Sequence, residues 1–274
     1  MRPAITLAIG LLIIGFSTGA TPRLQEKKTL TIVTYNILGE PHRADERIPV
    51  LMKILKDSDA DVIALQEVVP WFQKRLAKED WAKKYQVQAL DPESVGGQFI
   101  LSKFPIENAR SHVLPGPQRR TVVIATIKVD GRRLDVATTH LESPLQDGPA
   151  RAKQLDAIFG RIKGSDDAVL TGDFNFGDGE DEEKRIPAEF ADLWKALKPG
   201  EPGFTWNNEV SDMAGKSKDR FPGEKSRRLD RILVRSSIWK PKEVRILGDQ
   251  PIVAGKKDLF PSDHFGVIGI LSRD

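Results

Sequence analysis

An α/β sandwich, two packed mixed sheets with helices on the outside, is the fold class that this 274-residue sequence predicts. Three observations point to it. Short β-rich runs outnumber helical stretches, which suggests two sheets packed face to face. One pair of these runs, Thr121–Val129 and Arg132–Thr139, is separated only by Asp130–Gly131, and Asp-Gly suits the type I′ turn of a β-hairpin. The composition, 39% hydrophobic and 30% charged with no cysteine, is that of a globular domain large enough to build a core without disulfides.

The chain opens with Arg2, an apolar run from Ala4 to Phe16 and the small residues Ser17–Ala20. This is the pattern of an export signal cleaved after Ala20, leading to the periplasm or the outside of the cell. An uncleaved membrane anchor is the alternative, although the run is short for a bilayer. Residues 1–20 are thus expected to be a signal, 21–28 a polar linker, and 29–274 one catalytic domain.

Leu30, Ile32, Val33, Tyr35 and Ile37 form the first expected strand, ending in a loop at Asn36–Pro41. Apolar residues recur at helical spacing from Ile48 to Lys56. Asp61–Gln66 is a short apolar run suited to a strand buried on both faces. Trp71–Lys84 is expected to be helical, and Gln98–Ser102 a strand closed by Phe104–Pro105. After the hairpin come a helix over Ala150–Ile162 and a strand over Ala168–Thr171. Residues 177–189, acidic and glycine-rich, read as a solvated loop, since Asp178–Glu183 lacks the spacing of a Ca²⁺ loop. Residues 207–228 read as a long surface loop. Leu229–Val234, Glu243–Ile246 and Phe265–Leu271 close the sheets, and Trp71, Trp194 and Trp239 are expected to pack.

Polar residues able to hold metal or phosphate recur just after the apolar runs: Asn36, Glu67, His140 with Glu142, Asp173 with Asn175, Asp230, and Asp263 with His264. A strand ending in an acid or amide places that group at a sheet rim, so several such endings suggest segments converging on one site. Each residue also has an ordinary reading. Asn36, Asp173 and Asn175 could be turn or cap residues, Glu67 a rim charge, His140 a core histidine, Asp263 a cap, His264 a surface residue, and Asp230 the partner of Arg228 or Arg231.

Without thiols and with four histidines, the ligand set favours Mg²⁺ or Mn²⁺ over zinc. The residue types together suit metal-assisted hydrolysis of a phosphodiester or phosphomonoester. No P-loop, Gly-x-Ser-x-Gly elbow or HExxH motif is present. The net charge of +3 leans toward an anionic partner. The pairs Arg119–Arg120, Arg132–Arg133 and Arg227–Arg228 read either as solvated rim charge or as a phosphate track. Phe204 and Trp206 read either as core or as an aromatic wall for a base, a tyrosyl group or a lipid.

The motifs TYNIL (34–38), LQEV (65–68), TTHLES (138–143), GDFN (172–175), RLDRIL (228–233) and SDHFGV (262–267) resemble, in order, those of the endonuclease/exonuclease/phosphatase family. The resemblance implies the four-layer α/β/β/α sandwich of the DNase I-like fold over essentially the whole mature chain. TTHLES, the downstream helix with Arg151 and Gln154, GFTW (203–206), RRLDRIL and FPSDHFG look most like the 5′-tyrosyl-DNA phosphodiesterase branch. Secreted nucleases, sphingomyelinases and sugar or inositol phosphatases share the frame, so a phosphomonoesterase, a phospholipid hydrolase and a non-catalytic phosphate-binding module remain alternatives.

The resemblance implies that Glu67 is the principal Mg²⁺ ligand, assisted by Asn36, with Asp263 close to the metal. It makes Asp173 the residue that orients or deprotonates water, and Asn175 and His140 phosphate contacts. His264 would stabilise the transition state, oriented by Asp230. Arg120, Arg151, Trp206 and Arg231 complete the set as substrate contacts. Leu38 stands where family members often carry Asp, which favours a single ion held mainly by Glu67. The expected substrate is a phosphate ester, DNA, RNA or a 5′-phospho adduct, and the chain is expected to act as a monomer with no obligate protein partner.

Overall fold

The computed structural model describes residues 26–89, 97–215 and 223–273. The expected signal and most of the linker lie outside the described residues. Among the described residues, no helix is long and apolar enough to cross a membrane.

Two six-stranded sheets pack face to face. The first contains β1 (Thr29–Asn36), β2 (Val62–Val68), β3 (Gln86–Ala89), β4 (Gly97–Ser102), β11 (Lys240–Leu247) and β12 (Gly266–Ser272), in the order β11-β12-β1-β2-β4-β3. The second contains β5 (Ile106–Val113), β6 (Thr121–Val129), β7 (Arg132–His140), β8 (Ala168–Asp173), β9 (Ala191–Asp192) and β10 (Asp230–Arg235), in the order β5-β6-β7-β8-β10-β9. Helices α1 (Ala44–Asp57) and α2 (Pro70–Leu76) cover the outer face of the first sheet, and α3 (Gly148–Ile162) that of the second. Short helices α4 (Leu193–Leu197) and α5 (Asp212–Gly215) complete the chain. The expected sandwich is the observed one.

Side chains alternate across a strand, so each sheet sorts its residues between two cores. From β1, Leu30 and Ile32 enter the inter-sheet core with Val136, Val169 and Ile232, while Val33 and Tyr35 face α1. The same alternation turns Thr34 and Asn36 inward at the upper end of the strand. There the filling becomes polar. Gln66 Nε2 donates to Thr34 Oγ1 (3.1 Å) and, across the gap, to Thr138 Oγ1 (2.9 Å). Buried amides and hydroxyls satisfied in this way fix the register of one sheet on the other.

Asp130 (φ 47°) and Gly131 (φ 83°) both have positive φ in the β6–β7 turn, as a type I′ hairpin requires. At Gly172 (φ 137°) a Cβ would sit 2.0 Å from the Thr139 carbonyl oxygen, so only glycine lets β8 approach β7 just before Asp173.

Three local expectations change. The stretch 71–84 is not one helix: α2 ends at Leu76 and a 3₁₀ turn covers Asp80–Lys84. Phe72 and Leu76 share a buried face, but its continuation would present Asp80 and Lys83, and the break lets Ala82 turn inward instead. Strand β5 carries mostly half-exposed residues at a sheet edge, so it has no alternating apolar signature, and β3 is only four residues long. The acidic loop is not plainly solvated: Glu182 is buried against Arg151, and Asp178 and Glu183 pair with Arg228 and Arg231.

Candidate active site

Strands β1 and β2 run parallel, as do β7 and β8, and the carboxyl ends of β1, β7 and β8 meet at one rim. In the second sheet, Asp173 is paired in register with His140 on one side and with Asp230 on the other. Three polar side chains thus project from neighbouring strands onto the inner face at one level. Asn36 faces them from the first sheet, its Nδ2 donating to Asp173 Oδ2 (3.0 Å).

Glu67 arrives differently. Val62 faces the inter-sheet core and Gln66 bonds across it, so strict alternation would point Glu67 outward. A bulge between Leu65 and Val68 and a left-handed backbone at Glu67 (φ 58°) re-aim it to the rim. Asn36 Nδ2 donates to its Oε1 (3.1 Å) and Gly39 N to its Oε2 (3.0 Å). Asn36 therefore bridges the Glu67 and Asp173 carboxylates as a donor, while its Oδ1 accepts from Leu38 N (3.2 Å). The expected oxygen ligand is here a spacer between two acids that also forms the Asx turn.

The two histidines carry different charge. Arg120 Nη1 lies 3.1 Å from His140 Nδ1. A guanidinium only donates, so Nδ1 accepts and the ring proton sits on Nε2, aimed at Asp173 Oδ2 3.3 Å away. Burial, then the charges of Arg120 and His264, hold His140 well below the ordinary imidazole value, and it is neutral. His264 Nδ1 lies 2.9 Å from Asp230 Oδ2, and its Nε2 3.6 Å from Asp173 Oδ2. Burial opposes a charge on His264, but Asp230 and Asp173 outweigh it and hold the ring well above the ordinary value. Burial also raises Asp173, with the His264 charge opposing.

His140, Asp173 and His264 line a cleft of about 540 Å³ together with Glu67, Asn175, Arg120, Asp263 and Trp206, and Asp230 stands behind His264. Asn175 N donates to Asp173 Oδ1 (3.0 Å), and Asn175 Nδ2 to the Leu141 carbonyl (3.0 Å). Trp206 packs edge-on against His264, ring centroids 4.8 Å apart. Burial pushes the Asp263 carboxyl up to about 6, with the His264 charge opposing and that of Glu67 adding. Glu67 and Asp263, two hard carboxylates in mutual repulsion beside a polar cleft, fit a hard divalent cation. Asp173, Asp230 and His264 also have ligand atoms within 4.8 Å of one another. His264 Nδ1 is already engaged by Asp230 Oδ2 at 2.9 Å, so the trio forms an acid–imidazole pair beside Asp173.

Two expected substrate contacts belong to the scaffold instead. Arg151 is buried, donating to Glu182 and to the carbonyls of Glu142, Pro144 and Leu145. Arg231 is buried on the outer face of β10 among Asp178, Glu183 and Asp192. The basic pairs do not form one track: Arg227 and Arg228 are locked in ion pairs, Arg133 meets Glu107, and of the six arginines Arg120 alone lines the cleft. Phe204 lines a neighbouring apolar pocket with Phe260 and Phe265, separate from Trp206.

The sequence reading missed Arg47, a fully buried side chain on α1. Its guanidinium donates to the carbonyls of Ile37, Leu38, Glu40, His42 and Pro261, fastening the loop after β1 to the segment that carries Asp263 and His264. It also missed Ser143, whose Oγ accepts from Arg120 Nη2. The only sequence signal for Arg47 is a charged residue on an otherwise apolar helix face.

A family model described as the endonuclease/exonuclease/phosphatase family matches residues 33–264. Tyrosyl-DNA phosphodiesterase 2 of Mus musculus is 26% identical over 271 residues, covering 95% of this chain and 70% of the relative. The 5′-tyrosyl-DNA phosphodiesterase of Caenorhabditis elegans is 28% identical, covering 87% of this chain and 66% of the relative. The crystal structure of D. rerio TDP2 complexed with single strand DNA product superimposes with a TM-score of 0.78 at 24% identity, covering 90% of this chain and all (100%) of that one. A Bacteroides thetaiotaomicron endonuclease/exonuclease/phosphatase family protein gives 0.70 at 20% identity, covering 90% and 98%. The chain belongs to the endonuclease/exonuclease/phosphatase family and is a metal-dependent phosphoric ester hydrolase of the phosphodiesterase type.

Proposed function

We propose that the protein is an exported, monomeric, Mg²⁺-dependent phosphodiesterase that hydrolyses phosphoester bonds of nucleic acid or of a 5′-phospho adduct on it. One observation carries the chemistry: Asp173 Oδ2 is approached at once by Asn36, a neutral His140 and a cationic His264, next to the Glu67 carboxylate. The tyrosyl-DNA phosphodiesterase relatives and the DNA product held by the D. rerio protein support the choice of substrate. The Arg2-to-Ala20 pattern supports export.

Glu67 and Asp263 would hold the ion, which when bound supplies Lewis-acid polarisation of a phosphoryl oxygen. The rest of the chemistry belongs to the chain. Asp173, made more basic by burial and held in place by Asn36, His140 and Asn175, takes a proton from the attacking water as the new O–P bond forms. The opposite P–O bond breaks, and its electron pair leaves with the alcohol or phenol oxygen. His264, kept cationic by Asp230, donates to the phosphoryl oxygens as they gain charge. Arg120, turned into the cleft by Ser143 and His140, brings a second cation. Trp206 forms an apolar wall beside them.

The test is a substrate panel with the mature chain, with and without EDTA: bis(p-nitrophenyl) phosphate, DNA, RNA, a 5′-phosphotyrosyl oligonucleotide, inositol phosphates and sphingomyelin vesicles. Cleavage of the phosphotyrosyl oligonucleotide or of plain nucleic acid, abolished by EDTA and restored by Mg²⁺, is the expected result. A preference for lipid vesicles or monoesters overturns the proposed substrate class. Size-exclusion and signal-cleavage measurements on the secreted protein check the remaining parts.

A further inference from the structure

Asp230 opens β10 of the second sheet and His264 lies 34 residues later on the segment leading into β12 of the first, yet their ring-to-carboxylate distance is 2.9 Å. One residue between them bonds to the backbone at both ends. Thr205 is fully buried. Its Oγ1 accepts from Leu229 N and from Asp230 N, both at 2.9 Å, at the point where β10 begins. Its carbonyl oxygen accepts from Phe265 N (2.7 Å), the residue after His264. Thr205 is itself anchored, because its N and that of Trp206 donate to the Arg227 carbonyl at 3.1 and 3.0 Å. Trp206, next in sequence, is the ring packed on His264.

A threonine oxygen has two lone pairs, and here both are used by consecutive amides. Few residues can do this at a buried position. Valine has the same shape and no acceptor, and serine has the acceptor without the methyl group. A role confined to packing would tolerate valine and object to serine. A role in holding two amides reverses that order.

We propose that Thr205 is a positioning residue of the reaction, setting the distance between Asp230 and His264 through their main chains. It touches neither substrate nor reacting atoms. The proposal rests on the reading of Asp230 and His264 as the working acid–imidazole pair. Misplacement of a catalytic group by about 1 Å can cost about 100-fold in rate, so a clamp of this kind is read in kcat.

The test is a double-mutant cycle on the full chain, with kcat and KM measured on bis(p-nitrophenyl) phosphate in Mg²⁺ and folding followed by thermal melting. Thr205→Val is expected to lower kcat by about 10- to 100-fold with KM changed less than about twofold, and Thr205→Ser to keep kcat within about threefold of the parent. In an Asp230→Asn background, Thr205→Val is expected to cost less than about threefold more, because the pair it serves is already broken. If the valine variant does not fold, Thr205→Ala, which removes the hydroxyl and fills nothing, is read in the same way. Thr205→Val that lowers the melting temperature but keeps kcat, a serine variant as poor as valine, or full additivity with Asp230→Asn each overturns the proposal. If Asp230→Asn itself leaves kcat unchanged, the reading of the acid–imidazole pair fails first, which separates the two outcomes.

Discussion

Replacing Asp230 by asparagine removes one negative charge 2.9 Å from His264 Nδ1 and little else, since the amide keeps the shape and can still accept the ring N–H. Both side chains are buried, so solvent screens the interaction weakly. A hydrogen bond to a charged group contributes about 1.5–3 kcal/mol, against about 1 for a neutral one. Losing the charge removes the Asp230 contribution and moves the His264 value back toward the ordinary imidazole value. Asp173 continues to support the cation from the other side. The sign is fixed by the direction of the shift. A raised imidazole value means the cation persists to higher pH, so the variant loses its cation at lower pH than the parent. The stability arising from that raised value is complete below about 6.5 and disappears as pH rises through the folded value, so the melting-temperature deficit of the variant shrinks toward alkali. The assay is kcat against pH from 5 to 10 on bis(p-nitrophenyl) phosphate with saturating Mg²⁺. The alkaline limb should move to lower pH, and kcat at the optimum should fall by about 2- to 30-fold, the rate equivalent of about 0.5–2 kcal/mol. An alkaline limb that stays in place, or a loss confined to KM, would refute the assignment of His264 as the cationic donor.

Glu67→Ala should abolish metal-dependent turnover while the far-ultraviolet circular dichroism is kept, and full activity would contradict its role as metal ligand. Arg151→Ala should leave KM within about twofold but cost about 3–5 kcal/mol in urea unfolding, because Glu182 would be left buried without its partner. His140 should show no protonation by NMR between pH 6 and 8, in keeping with its depressed value, and Arg120→Ala should raise that value by removing a neighbouring positive charge.

The layers and most of the site could be read from the sequence for one physical reason: period-two alternation places one inward side chain at the rim end of each strand, the last residue of β1, β7 and β8 and the first of the antiparallel β10. Asn36, His140, Asp173 and Asp230 follow that rule. Glu67 breaks it through a bulge, and a bulge has no local composition of its own. Arg151 and Arg231 were misjudged because a guanidinium among carboxylates and carbonyls is set by tertiary partners far away in sequence, and a charged residue reads as exposed until those partners are known. For the same reason the roles of Arg47 and Thr205, whose partners are main-chain atoms, are not legible, although one sits on an otherwise apolar helix face and the other within GFTW. Strand β5 escaped notice because a sheet edge demands no apolar stripe.

Asn36, Glu67 and His264 ride on one sheet, or on the segment feeding it, whereas His140, Asp173 and Asp230 ride on the other. The reaction centre therefore lies across a seam, and sliding one layer over the other by a fraction of a residue would pull base from cation without altering any side chain in the cleft. The Gln66–Thr138 cross-link lies just beneath that seam, so loosening it, or the apolar filling deeper down, should be felt as lost turnover before it is felt as lost fold.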